Sequence, residues 1–210
     1  RYSLRSQAWL PLLLMLAVLA LRVLTQHHIL DGFPNLSPLM AFAFVGTVVF
    51  PKPLPWWSWI VLLLGLDLVS EGAAWWTQAN GHIEVVAAYA CYAAAAFFAT
   101  RMRDRAGVLD SLLGTLICSI AFYLVTNTVS WMTDPAYTKD SAGWWQSLTV
   151  GIGIPGIPST LVFFRNSLIA DLGGATILLA VYNIEAIWRG LRTIPWVRTR
   201  TWTAALSEVV

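Results

Sequence analysis

The chain has 210 residues, of which 58% are apolar and 11% charged, with a net charge of +2 and a mean hydropathy of +0.66. A soluble domain carries about 25% charged residues and cannot bury this much apolar surface. The balance excludes a disordered chain, a coiled coil, a disulfide scaffold and an ordinary cytosolic enzyme; it predicts an all-α polytopic membrane protein, one transmembrane domain over residues 1–210.

A helix needs roughly 20 apolar residues to cross about 30 Å of hydrocarbon. Six crossings are predicted, at 9–26, 37–50, 56–73, 83–99, 108–131 and 166–188. The first is not read as a signal peptide, because no A-x-A cleavage site follows it. The second is short and bracketed by Pro34, Pro38, Pro51, Pro53 and Pro55, since proline ends helices and fits their first turn. Asp67 and Glu71 interrupt the third. Residues 143–164 tempt a seventh crossing, but Gly151, Gly153, Pro155, Gly156 and Pro158 break any helix there. This stretch reads as a re-entrant or interfacial segment before the last helix.

The cations test the count, because cytoplasmic loops collect Lys and Arg. Six crossings place Arg1, Arg5, Lys52, Arg101, Arg103, Arg105, Arg189, Arg192, Arg198 and Arg200 on one side, and Lys139 and Arg165 on the other. The expectation is a bacterial inner-membrane protein with both termini cytoplasmic. Twelve Trp, paired at 56–57, 75–76 and 144–145, read as an interfacial belt.

Motifs that carry chemistry are weak. Gly151-Ile-Gly-Ile-Pro-Gly156 spells GxGxxG without the strand, helix and acidic residue that a dinucleotide site needs. His82-Ile83-Glu84 lacks the PCxxC of a zinc deaminase. Cys91 and Cys118 lie in apolar runs and read as core residues. No enzyme activity, cofactor, metal site or nucleic-acid partner is therefore expected. Ala87, Ala88, Ala90 and Ala93–Ala96 give the fourth crossing a small-residue surface, either for packing within the bundle or for docking another membrane protein.

Polar groups inside crossings are the strongest signal, because a buried charge at the bilayer centre costs about 2.5–3.5 kcal/mol on insertion scales. Arg22, Asn35, Ser37, Asp67, Thr126, Asn127, Arg165, Asn166 and Asp171 all fall toward the outer side of the six-crossing topology. The inner half holds few such groups, with Asp110 and Glu185 near its edge. Two readings fit: an outward-opening polar pocket, or a structural ion-pair network joining Arg22 or Arg165 to Asp67 or Asp171.

The segments Phe33-Pro-Asn-Leu-Ser-Pro38, Phe122-Tyr-Leu-Val-Thr-Asn127 with Trp131, and Phe163-Phe-Arg-Asn166 with Asp171-Leu172 carry a resemblance. Together with Arg22 and Asp67 they look like the signature of an uncharacterised bacterial family of six-helix membrane transport proteins. That family in turn resembles the substrate-capture components of energy-coupling-factor transporters. The resemblance implies capture of a small solute by these nine residues, among membrane lipids and with another membrane protein as energising partner. The rival expectation is an accessory subunit of a large respiratory or photosynthetic complex, in which the polar cluster is structural.

Overall fold

The computed structural model describes residues 8–25, 38–50, 54–71, 81–103 and 105–197. Among these, all regular structure is helical: α1 (Leu10–Thr25), α2 (Leu39–Val49), α3 (Ser58–Glu71), α4 (Gly81–Met102), α5 (Val108–Thr133), α6 (Ser141–Leu148) and α7 (Thr160–Trp188). The last 21 residues of α4, together with α5 and α7, are long and apolar enough to cross a membrane. The described lengths of α1, α2 and α3 are 16, 11 and 14 residues, short of the roughly 20 that a full crossing needs.

α2 is the core of the bundle. Every residue from Met40 to Phe50 is buried, as expected for a helix that is apolar on all sides and enclosed by others. It packs against α1, α4, α5 and α7. Its middle turn, Phe42–Gly46, is a π-turn. Two glycines let neighbours approach it: a Cβ on Gly114 of α5 would meet the Phe44 ring at 2.3 Å, and one on Gly174 of α7 would meet Pro38 Cβ at 2.5 Å.

The outer faces of α5 and α7 are apolar, with Leu113, Ile117 and Leu124 exposed on one and Ile169, Ile177 and Ile184 on the other. The inward face of α5 is instead small and polar. Ser111, Thr115 and Ser119 recur every four residues and are buried, the reverse of a soluble amphipathic helix. Ser111 and Thr115 donate to the carbonyls of Gly107 and Ser111, so their hydroxyls cost little to bury.

Four carboxylates close helix starts, where the first amides lack helical partners. Asp110 accepts from Gly107 N–H at the head of α5, and Asp140 from Gly143 N–H at the head of α6. Glu185 accepts from Trp9 and Leu10 N–H at 3.0 and 2.7 Å, and Asp171 from Met40 and Ala41 N–H at 3.0 and 3.4 Å. The last two reach across from α7, so one long helix holds the starts of both α1 and α2.

The stretch expected to be re-entrant or interfacial is α6, a loop and the head of α7. No single helix runs through it: α6 stops at Leu148 and α7 starts at Thr160. Gly151, Gly153 and Gly156 take φ of 77°, 74° and 86°, a region closed to most L side chains. α7 begins six residues before the expected 166, because Thr160–Phe164 follow the extended Ser159 without a further breaker. At the Trp188 end the chain folds back. Val108 N–H donates to Pro195 carbonyl oxygen at 2.8 Å, and the Asn183 side chain pairs with the Ile194 backbone. Arg101, Arg103, Arg105, Arg189 and Arg192 thus gather at this end, opposite Lys139 and Arg165.

Candidate functional site

Where α5 meets the first turns of α7, a cavity of about 210 Å³ opens between them. Phe122, Tyr123, Phe163 and Phe164 form aromatic walls; Ser119, Thr126, Asn127, Thr160 and Ser167 supply polar groups. Among the described residues no charged side chain lines it. Tyr123 stacks on Phe164 with ring centroids 4.2 Å apart, and its hydroxyl donates to the Leu148 carbonyl, which ties α5 to α6 and fixes one wall. Phe122 stacks on Tyr92 of α4 at 5.1 Å, which fixes the other.

Helical spacing sets the depth. Ser119 and Asn127 are eight residues apart, about 12 Å at 1.5 Å per residue. Asn127 and Thr160 lie toward the Thr160 end, and Ser119 forms the floor. Its hydroxyl donates to Asp171 Oδ2 at 2.8 Å. Asp171 sits 11 residues into α7, about 16 Å from its start, and is 2% exposed. The cavity floor therefore adjoins the buried start of α2.

The polar wall is not saturated by the protein. Asn127 Nδ2 donates to Tyr123 carbonyl oxygen at 2.8 Å, which leaves its Oδ1 as an acceptor. Thr126 Oγ1 donates to Phe122 carbonyl oxygen at 2.8 Å. The hydroxyls of Thr160 and Ser167 have no hydrogen-bond partner among the described residues.

Beside the mouth, a second cavity of about 180 Å³ shares Thr160 and Phe163 with the first and is roofed by the 149–159 loop. Tyr137 lines it, its phenol pushed up by burial and then by the charges of Asp134 and Glu84, so it stays neutral. At the head of α6, the Gly143 N–H and then the Thr138 hydroxyl hold the Asp140 carboxyl below its ordinary value.

The described residues of the expected set fall in different places. Thr126 and Asn127 line the cavity. Asp171 lies behind its floor and closes α2. Asp67 accepts from the Tyr89 hydroxyl at 2.7 Å, joining α3 to α4. Arg165 is exposed, and its Nε and Nη2 donate to Oδ1 of its buried neighbour Asn166 at 3.4 and 3.3 Å. The expected pairing of Arg165 with Asp171 does not form: six residues at 100° each put the two side chains about 120° apart around α7. Asn35 and Ser37 lie outside the described residues, as does the side chain of Arg22, whose backbone belongs to α1. Ser119, Thr160 and Ser167 were missed. The recurrence of Ser111, Thr115 and Ser119 every four residues in an apolar helix was the available signal for the first. Among the described residues no group of three His, Cys, Asp or Glu side chains is placed to hold a metal.

No curated protein and no solved structure matches the chain. Matched over residues 2–190, it belongs to the family of unknown function DUF6580.

Proposed function

We propose that this protein is an integral membrane component that captures a small neutral solute in the cavity between α5 and α7. One observation carries the reading: Asn127 Oδ1 and the Thr160 and Ser167 hydroxyls lie on the wall of an aromatic-sided cavity without partners among the described residues. These groups are half-buried, and a solute that fills the cavity and displaces its water supplies their partners. The volume equals about seven water volumes of roughly 30 Å³ each, which suits a compact molecule with a planar apolar part and hydrogen-bonding edges. The uncharged wall disfavours an ionic solute, whose desolvation it would not repay.

On this reading α1–α5 and α7 form the six-crossing bundle, and the Trp188 end, with its gathered arginines, faces the cytoplasm of a bacterial inner membrane. The cavity then faces outward, as a capture component requires. Uptake would draw its energy from another membrane protein. The test is purification from native membranes into lipid nanodiscs, followed by native mass spectrometry. A small molecule retained by the wild type and lost from Asn127→Ala, with the fold intact, is the expected result. Retention undiminished in Asn127→Ala and in Ser167→Ala would refute the site. A large stoichiometric assembly without a small molecule would move the reading to an accessory subunit.

A further inference from the structure

We propose that Asp171 is a proton-binding site that links the cavity to the seating of α2; the inference rests on the reading of that cavity as a solute site. Asp171 Oδ1 accepts from the Met40 and Ala41 amides and Oδ2 from the Ser119 hydroxyl. All three partners are neutral, and the group is buried.

Among the described residues, the packed elements supply no cation that fixes its charge. α2 has no ionisable residue between Pro38 and Phe50, and α6 has none. On α5 the ionisable groups flanking Ser119 are Cys118 and Tyr123, both neutral when protonated. α1 carries Arg22, whose side chain lies outside the described residues. On α7 itself Arg165 lies about 120° round the helix, and Glu185 about 21 Å further along it. A buried carboxylate held only by neutral donors takes up a proton more readily than an ion-paired one.

Ser119 belongs both to this carboxylate and to the cavity wall. While Asp171 is ionised, the Ser119 hydrogen is committed to Oδ2, and the cavity meets only the oxygen's lone pairs. A hydronium ion in the cavity gives a proton to Ser119 Oγ while the original Ser119 hydrogen passes to Oδ2, and the hydronium leaves as water. Oδ2–H then donates to Ser119 Oγ, and the new Ser119 hydrogen points toward the cavity, where an acceptor on the solute takes it. At the same step Oδ1 loses its charge, and its bonds to the first amides of α2 fall from charge-assisted to neutral strength. The buried end of this 11-residue helix is loosened from α7. Proton and acceptor-bearing solute therefore favour each other, and by linkage the effect is reciprocal.

The experiment uses the whole protein in nanodiscs and needs no solute. Infrared spectroscopy follows protonated carboxyl groups against pH, and hydrogen exchange follows the α2 amides as protection factors. The expected result is a protonated-carboxyl band, missing from Asp171→Asn, that appears on acidification. With the same midpoint, α2 protection falls at least about tenfold, the loss of one charge-assisted bond, while α4 and α5 keep theirs. Asp171→Asn holds α2 in the weakly protected state at every pH. Ser119→Ala removes a donor to the carboxylate and displaces the midpoint of the band and of α2 protection together. Glu185→Gln, which weakens the matching hold on α1, leaves α2 as in the wild type. The proposal is overturned if the Asp171 band is absent, if α2 protection ignores its titration, or if all helices loosen together. Such a failure leaves the solute reading standing, whereas undiminished retention in Asn127→Ala removes that reading with the α2 response intact.

Discussion

Two adjacent glycines on α7 allow a sharp test of how α2 is held. A Cβ on Gly174 would lie 2.5 Å from Pro38 Cβ and 3.5 Å from Ala41 Cβ, whereas one on Gly173 meets nothing within 4 Å. Carbon atoms in contact prefer about 3.5–4.0 Å, so Gly174→Ala must push the start of α2 away from α7 by about 1 Å. Pro38 is a ring closed on the backbone and has no rotamer with which to yield. Overpacking of this kind costs about 1–3 kcal/mol. The same displacement stretches the 3.0 Å bond from Met40 N–H to Asp171 beyond hydrogen-bonding range, which adds about 1–3 kcal/mol for the stranded groups. Gly174→Ala is therefore expected to destabilise by about 2–6 kcal/mol. At about 2–4 °C per kcal/mol for a chain of this size, the melting temperature should fall by at least about 4 °C. Gly173→Ala relieves a helical glycine in open space and should be neutral or stabilising by up to about 1 kcal/mol. Thermal unfolding of both variants in the same detergent, read by tryptophan fluorescence, makes the comparison. If the two variants melt together, the close approach of Pro38 to α7 is not what seats α2.

At the other end of α7, Glu185→Ala removes the acceptor for Trp9 and Leu10 N–H and the partner of Arg189 at 2.6 Å. It should cost about 1–3 kcal/mol and speed proteolysis near the start of α1; an unchanged cleavage rate would count against the cap. Asp140 titrates below its ordinary value, so its contribution to α6 is complete above about pH 4, the unfolded aspartate value. That contribution disappears as pH falls through the lower folded value. Exchange of the Gly143 amide should therefore accelerate only in strong acid, and Asp140→Asn should remove that pH dependence. For the topology, a reporter fused after residue 197 should be active only on the cytoplasmic side, because the arginines of the Trp188 end resist translocation; a periplasmic signal would reverse the bundle.

Composition alone determined the solvent. With so few charges, most apolar side chains face either each other or lipid, and the apolar runs place six of the described helices, with the start of α7 six residues late. The Gly/Pro run at 151–158 likewise announced a break, because φ values near +75° are open to glycine and helix interiors are closed to proline. Such signals are local, fixed by the residue and its near neighbours along the chain.

The partners of the polar side chains were not local. From sequence, Arg165 is one of two candidate partners for Asp171, yet the helical turn separates them, and Asp171 meets amides 131 and 130 residues away. Glu185, set aside as lying at the membrane edge, reaches back 176 residues to the start of α1. Whether a buried carboxylate meets a cation, an amide or a hydroxyl depends on which helix faces it and at what height. Those are set by crossings such as Gly174 on Pro38 and Gly114 on Phe44. The cavity is of the same kind: Thr126 and Asn127 were legible as polar breaks in an apolar helix, but Thr160 and Ser167 join them only because α7 begins early and lies against α5. The chemistry of each residue is written in the chain, whereas the company it keeps is decided by packing.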